Sequence, residues 1–253
     1  MRSVFSRSKI RCYPSSGSAS NLIYFGDFYE YDEMLFVKRY LRRGDGFIDG
    51  GANIGTFSLL AAELVGATGR VDAFEPVPEP AGWFRENMAL NDYGWVHLHE
   101  AALGERSGTV DFFSDRDVSN HIALEPAKDT IQVPCVTLDE ALPVEGRYAM
   151  AKLDLEGAQV AALRGAERHL SEQNPPVWQV EVFQHLLLKM GSDLDELISL
   201  FTDHGYSLCS YDADGNHLNR DIDLRREAQA GRQDAIAIAR TWLDDVTNRL
   251  GTN

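Results

Sequence analysis

Cysteine, long apolar runs and positive charge are all scarce in this chain of 253 residues, and each shortage removes a class of function. Cys12, Cys135 and Cys209 are an odd number without C-x-x-C spacing. Neither a disulfide framework nor a cysteine zinc site is expected, and free thiols in a reducing cytoplasm are. No apolar stretch approaches the roughly 20 residues of a membrane-spanning helix. The first eleven residues hold Arg2, Arg7, Lys9 and Arg11 but no apolar centre, so they do not read as a signal peptide. Against 39 acidic residues stand 24 Lys and Arg, a net charge of −15. Nucleic acid and anionic membrane are therefore not expected partners, because phosphate recognition depends on clustered basic side chains. A small-molecule partner and a cytoplasmic location are expected.

Also missing is the G-x-G-x-x-G of dinucleotide binders. In its place stands Phe47-Ile48-Asp49-Gly50-Gly51-Ala52-Asn53-Ile54-Gly55, followed by Phe74-Glu75-Pro76. Phe47 and Ile48 suit a buried strand, and Phe57, Leu60, Ala61, Leu64 and Val65 have the spacing of an amphipathic helix. The glycines thus fall in a strand-to-helix turn at the mouth of a parallel sheet, where such folds bind cofactors. Asp49 opposes a pyrophosphate there, whereas a sulfonium nucleoside with an α-ammonium is attracted. At ~4 Å and an effective dielectric of ~20, one carboxylate–cation contact is worth roughly 4 kcal/mol before desolvation. Glu75, ending the next strand, is placed to accept both hydroxyls of a ribose.

The rest of the chain alternates strands and helices. Helices are expected over 32–40, 56–65, 78–91, 158–170 and 193–204, and strands over 71–74, 95–99, 109–113, 131–136, 148–153 and 177–182. A closing strand pair is expected at 206–211 and 234–239. This pattern predicts an α/β, Rossmann-like, mostly parallel doubly wound sheet with an antiparallel edge strand. Residues 1–28 read as a mobile arm with a flexible connector over Pro14 to Ser20, and 29–253 as one domain. Asp212-Ala213-Asp214-Gly215-Asn216 lacks the closing glutamate of a calcium loop and reads as a turn.

A second group of acids, Asp154 and Glu156 in Lys152-Leu153-Asp154-Leu155-Glu156-Gly157, leaves a strand at the same edge of the sheet as Asp49 and Glu75. Strand periodicity would point both to one side, toward a substrate hydroxyl. A structural alternative is that Glu156 caps the following helix. With Tyr29-Glu30, the run Gly44 to Gly55, Phe74-Glu75-Pro76, Asn87, Asn91 and Lys152 to Ala158, the chain resembles the FkbM family of methyltransferases. The paired "DGGANIG" and "KLDLEGA" segments carry that resemblance, which spans roughly residues 29 to 182.

The resemblance implies a class I methyltransferase fold, S-adenosylmethionine as cofactor, and O-methylation of a sugar, glycoside or secondary metabolite. It implies that Asp49, Gly51, Asn53 and Gly55 hold the methionine part, Glu75 the ribose, and Asp154 and Glu156 the reaction side. Tyr29 and Glu30 would close over the cofactor, and Gly50, Ala52, Pro76 and Ala102 complete the expected binding set. Gly50 stands where the family has a larger apolar residue, and Gln159 where an acid is frequent. Glu181, His121 and His185 are further candidates for the acceptor side, with a Glu181–His185 salt link as the structural alternative. His97 and His99 share a strand face without a third ligand of matching spacing, so no metal site is assigned. An NAD(P)-dependent oxidoreductase and a catalytically silent binding module are the competing classes. Acceptor contacts are expected from the loops at 114–130 and after Val182, with Ser119, Asn120 and Phe183 among them.

Overall fold

A computed structural model describes residues 2–113, 121–122 and 130–251. Strands β1 (Arg2–Val4) and β2 (Ser8–Ile10) form an antiparallel hairpin. Then come β3 (Gly46–Gly50), β4 (Arg70–Phe74) and β5 (Val96–His99) of the main sheet. A smaller sheet follows, built from β6 (Ala102–Leu103), β7 (Gly108–Phe113), β8 (His121–Ile122) and β9 (Thr130–Val136). The main sheet resumes with β10 (Met150–Leu153), β11 (Val177–Glu181), β12 (Tyr206–Asp212), β13 (His217–Asn219) and β14 (Asp234–Ala239).

The main sheet has the order β13-β12-β14-β11-β10-β3-β4-β5. Strands β11, β10, β3, β4 and β5 are parallel, as the alternating pattern predicts. The closing antiparallel pair is present, but its second member, β14, inserts between β11 and β12. The reversed strand is thus interior, and short β13 forms the edge. Residues 213–216 are the turn between β12 and β13, as expected.

Helices cover both faces, which is why β3 and β10 are buried along their whole length. On one face Phe47, Val71, Met150, Val177 and Ile236 lie in one core with residues of helices Tyr31–Tyr40, Thr56–Val65 and Leu243–Leu250. On the other, Ile48, Ala151, Leu153, Trp178 and Val180 share a core with helices Gln159–Arg164, Glu167–Ser171 and Leu194–Asp203. The register sets Asp49, Lys152 and Gln179 side by side across β3, β10 and β11. They stand on the same face as Phe47, Met150 and Val177, two residues closer to the carboxyl edge. An apolar face therefore turns polar where the strands end.

The helix expected over 158–170 is two helices, separated at Gly165. A Cβ there would stand 2.1 Å from the Gly104 carbonyl oxygen, so the close approach of the small sheet fixes the break. The expected flexible connector is likewise absent. Ser16 caps a helix, Gly17–Phe25, by accepting from the Ala19 amide. Val4, Ile10, Ala19 and Leu22 are buried in one cluster with Ala52, Ile54, Leu59 and Phe84. The turn of the β1–β2 hairpin closes on Glu63, whose carboxylate accepts from the Ser6, Arg7 and Ser8 amides and from the Ser8 hydroxyl at 2.6 Å. Burial alone would push that carboxyl up, but the bonds from Ser6, Ser8 and Arg7 hold it below its usual range. The arm's apolar residues Val4, Ile10, Ala19 and Leu22 give it a docking face on the domain.

Candidate active site

A cavity of about 230 Å³ opens at the carboxyl edge of β3, β4, β10 and β11. Its floor is the turn after β3, whose conformation two glycines permit. Gly51 has φ +83°, and a Cβ on it would lie 1.9 Å from the Asp154 carbonyl oxygen, so the two sequence motifs touch through bare backbone. Gly55 has φ +91° and would meet Met88 at 2.7 Å. Asn87 ties this turn to the N-terminal segment, donating to the Ile54 carbonyl and accepting from the Arg11 amide. Asn91 does the same at Lys9, through both its backbone groups.

One end of the cavity is organised around Glu75, which is 6% exposed. Its Oε2 accepts from the Asn53 amide and its Oε1 from the Val77 amide, both at 2.9 Å. Asn53 reaches this geometry with φ +49°, a left-handed conformation that asparagine tolerates. A carboxylate so fixed is held in one orientation on the cavity wall, which suits recognition of a vicinal diol.

At the other end the acids crowd around one ammonium. Lys152 Nζ lies 2.9 Å from Asp154 Oδ2 and 4.4 Å from the centre of the Phe57 ring. Burial alone would depress this amine, but Asp154, Glu30 and Asp49 hold it charged, above the ordinary lysine range. Asp49 accepts from the Ser58 hydroxyl at 2.6 Å through Oδ2, while its buried Oδ1 has no hydrogen-bond partner among the described residues. Burial raises the carboxyls of Asp49 and Glu30 despite Lys152. Tyr29, whose phenol burial raises, lines the same wall.

Glu156 has φ +51° and does not cap the next helix, whose N-cap is Ala158 without a side-chain bond. The kink turns Glu156 into the cavity, and burial followed by the nearby Asp154 pushes its carboxyl up to about 7. Glu181, at the end of β11, is also raised, first by burial and then by Asp154 and Glu156. It accepts from Gln159 Nε2 at 3.4 Å. The alternative Glu181–His185 link is not formed: His185 is exposed and packs edge-on against Phe183. His99 is bound to Asp72 at 2.9 Å and stacked on Phe74, while His97 is exposed. Among the described residues no group of three His, Cys, Asp or Glu is arranged to hold a metal ion.

The cavity brings together Tyr29, Glu30, Asp49, Gly51, Ala52, Asn53, Glu75, Pro76, Ala102, Asp154, Glu156 and Glu181. Gly50 and Gly55 do not line it. They lie beneath, where a Cβ would strike Leu153 and Met88 respectively, so their part is packing rather than contact. His121 belongs to β8, where it pairs with Phe113, and its neighbour Ile122 lines the cavity. Ser119 and Asn120 lie outside the described residues. Sequence reasoning missed Lys152, Ser58 and Phe57, and also Ser18 and Asn21 of the N-terminal helix, which reach the cavity rim. Lys152 had a signal: a lysine inside an apolar strand is almost never buried unless paired.

The donor set suits a cationic nucleoside. Five carboxylates, Glu30, Asp49, Asp154, Glu156 and Glu181, face one ammonium at the end away from Glu75, and Asp49 keeps a buried oxygen without a hydrogen-bond partner among the described residues. A pyrophosphate would meet net negative charge here.

Comparison with known proteins points the same way. Comparison with curated proteins gave no match. Among solved structures the chain is similar to a precorrin-6y C5,15-methyltransferase from Geobacter metallireducens, with 16% identity, 83% of this chain and 89% of that one covered, and a TM-score of 0.45. It is also similar to a SAM-dependent O-methyltransferase from Thermotoga maritima, with 14% identity, 81% and 64% covered, and a TM-score of 0.44. An rRNA methylase from Streptococcus thermophilus shows 11% identity, 81% and 91% coverage, and a TM-score of 0.46. At these identities the likeness is one of fold alone. The model of the methyltransferase FkbM domain matches residues 49–208, more than half of the chain and the stretch that holds both acid-bearing motifs. The chain therefore belongs to the FkbM methyltransferase family, whose cofactor is S-adenosylmethionine.

Proposed function

We propose that this protein transfers a methyl group from S-adenosylmethionine to a hydroxyl of a small molecule, a sugar, glycoside or secondary metabolite. The observation that carries the reading is the polarity of the cavity: a ribose-directed carboxylate, Glu75, at one end and the Lys152–Asp154–Glu156–Glu181 group at the other. The cofactor supplies an electrophilic methyl on a sulfonium. Everything else is the work of this chain's own residues. Glu75 would hold the ribose hydroxyls, and Asp49, Glu30 and Tyr29 the ammonium side of the methionine part, with the turn over Gly51 to Asn53 closing beneath it.

Asp154, fixed by Lys152, would orient the acceptor hydroxyl. Glu156, whose carboxyl is tuned to about 7 by burial and Asp154, suits the removal of its proton. Alignment is the larger contribution: positioning supplies ~7–11 kcal/mol, and a general base ~10²–10⁴-fold. The net charge of −15 supports a small acceptor over an RNA. The test is incubation with methyl-labelled S-adenosylmethionine and a cell extract, followed by mass spectrometry of labelled products. Label on a hydroxyl oxygen of a small metabolite is the expected result. Label confined to RNA, or to carbon or nitrogen atoms, would overturn this reading.

A further inference from the structure

Beyond the wall made by Lys152, Asp154 and Glu181 lies a second cavity of about 190 Å³, bounded by the end of β11, the start of β14 and the helix Tyr31–Tyr40. Gln179 lines it. This side chain is 2% exposed, and neither its amide oxygen nor its amide nitrogen has a hydrogen-bond partner among the described residues. A buried amide unpaired at both atoms is unusual, because each group has lost water without replacing it. Around it stand Glu33, Asp234, Glu181 and Glu30.

The positive charges nearby are already committed. Lys152 is bound to Asp154, and Arg232, which reaches Asp234 at 3.5 Å, also binds Glu227 at 3.0 Å. Burial and then Asp234 push the Glu33 carboxyl up to about 7, while burial and then Asp32 raise Asp234 despite Arg232. The cavity thus offers acceptor oxygens in excess, one unpaired amide donor, and too little positive charge. A hard cation would need six or more oxygens in a regular shell, which the described residues do not arrange. An ammonium group meets the demand with three N–H donors on a single atom.

We propose that this second cavity is the acceptor subsite for a protonated amine, so that the molecule methylated at its hydroxyl also carries an amino group, as an aminated sugar or an amino alcohol does. The inference rests on the reading that donor and acceptor meet at Asp154. In it, Gln179 Oε1 and the Glu33 and Asp234 carboxylates receive the ammonium, and Gln179 Nε2 donates to a neighbouring acceptor oxygen. The shared wall of Lys152, Asp154 and Glu181 then holds the amine-bearing molecule beside the first cavity.

Calorimetry on the full chain, free and saturated with S-adenosylhomocysteine, tests this with D-glucosamine and D-glucose as probes, which differ by one amino group. Glucosamine is expected to bind the saturated protein at least about tenfold more tightly than glucose. Asp234→Asn and Gln179→Leu are each expected to remove most of that preference with S-adenosylhomocysteine affinity unchanged, and Glu33→Gln provides a third, milder variant should either fold poorly. Equal affinities, no glucosamine binding, an undiminished preference in the variants, or displacement of glucosamine by S-adenosylhomocysteine would each overturn the subsite. Failure of S-adenosylhomocysteine itself to bind would overturn the methyl-transfer reading, a result separable from loss of the amine preference alone.

Discussion

The two ends of the main cavity are built on opposite principles. At the Glu75 end, one carboxylate is held by two backbone amides only 2 and 22 residues away in sequence. At the Asp154 end, acids from four separate segments, at 30, 49, 154–156 and 181, share the Lys152 ammonium. A backbone-held group is rigid and cheap to specify. A buried cluster of like charges is neither, because each added carboxylate must be offset by a counter-charge, a proton or a ligand. The contrast suggests a division of labour, with fixed binding at one end and tunable charge at the other.

The hardest blow to this contrast should come from the reaction end. Glu156→Gln and Asp154→Asn are expected to lower turnover by ~10²–10⁴-fold at saturating cofactor, with S-adenosylhomocysteine affinity little changed for Glu156→Gln. Wild-type turnover in both variants would remove them from the chemistry.

The pH profile sharpens the same point. Because burial and then Asp154 push the Glu156 carboxyl from its ordinary 4.5 up to about 7, kcat/KM should rise with pH through about 7. The stability linked to this group has the reverse sign: it is fully present below the unfolded value and is lost as pH rises from 4.5 through about 7. In Glu156→Gln both limbs should flatten, which rate profiles and urea titrations at several pH values would detect.

Next in size is Lys152→Met. It leaves Asp154, Glu30 and Asp49 without their buried counter-charge and is expected to cost about 3 kcal/mol of stability above neutral pH. The loss should shrink as pH falls and the acids protonate, an outcome that chemical denaturation at pH 5 and pH 8 would check.

At the other end, Glu75→Gln exchanges a charged acceptor of two amide bonds for a neutral one. Hydrogen bonds to charged groups are worth ~1.5–3 kcal/mol, so S-adenosylhomocysteine should bind roughly tenfold or more weakly, with kcat at saturation nearly intact. A large drop in kcat with unchanged affinity would erase the distinction between the two ends. The smallest effect is expected outside the cavity, from Glu63→Gln. About 1 kcal/mol should be lost, together with faster amide exchange at Ser6 to Ser8, measurable by mass spectrometry.

Much of this was legible in the sequence for a physical reason. Strand and helix alternation, the strand-ending acids and the Asp49–Gly55 turn are short-range patterns, and short-range patterns decide local geometry. What escaped were features that depend on distant partners. Gly165 reads as one more helical residue until Gly104 approaches it. The 1–28 segment reads as a connector until Glu63, Asn87 and Asn91 receive it. Glu181 and His185 have the spacing of a helical pair, yet Glu181 ends a strand and only His185 enters the following helix, Gln184–Lys189.

The sequence by itself determined the parallel α/β sheet, the FkbM kinship and the identity of the acids at its carboxyl edge, since periodicity and motif spacing are written in consecutive residues. Only the tertiary structure decided which of those acids face one another, that Lys152 stands among them, and that Gln179 is buried without a hydrogen-bond partner among the described residues. Those facts are set by strand register, where side chains far apart in the chain become neighbours across the sheet and fix the charge of the space between them.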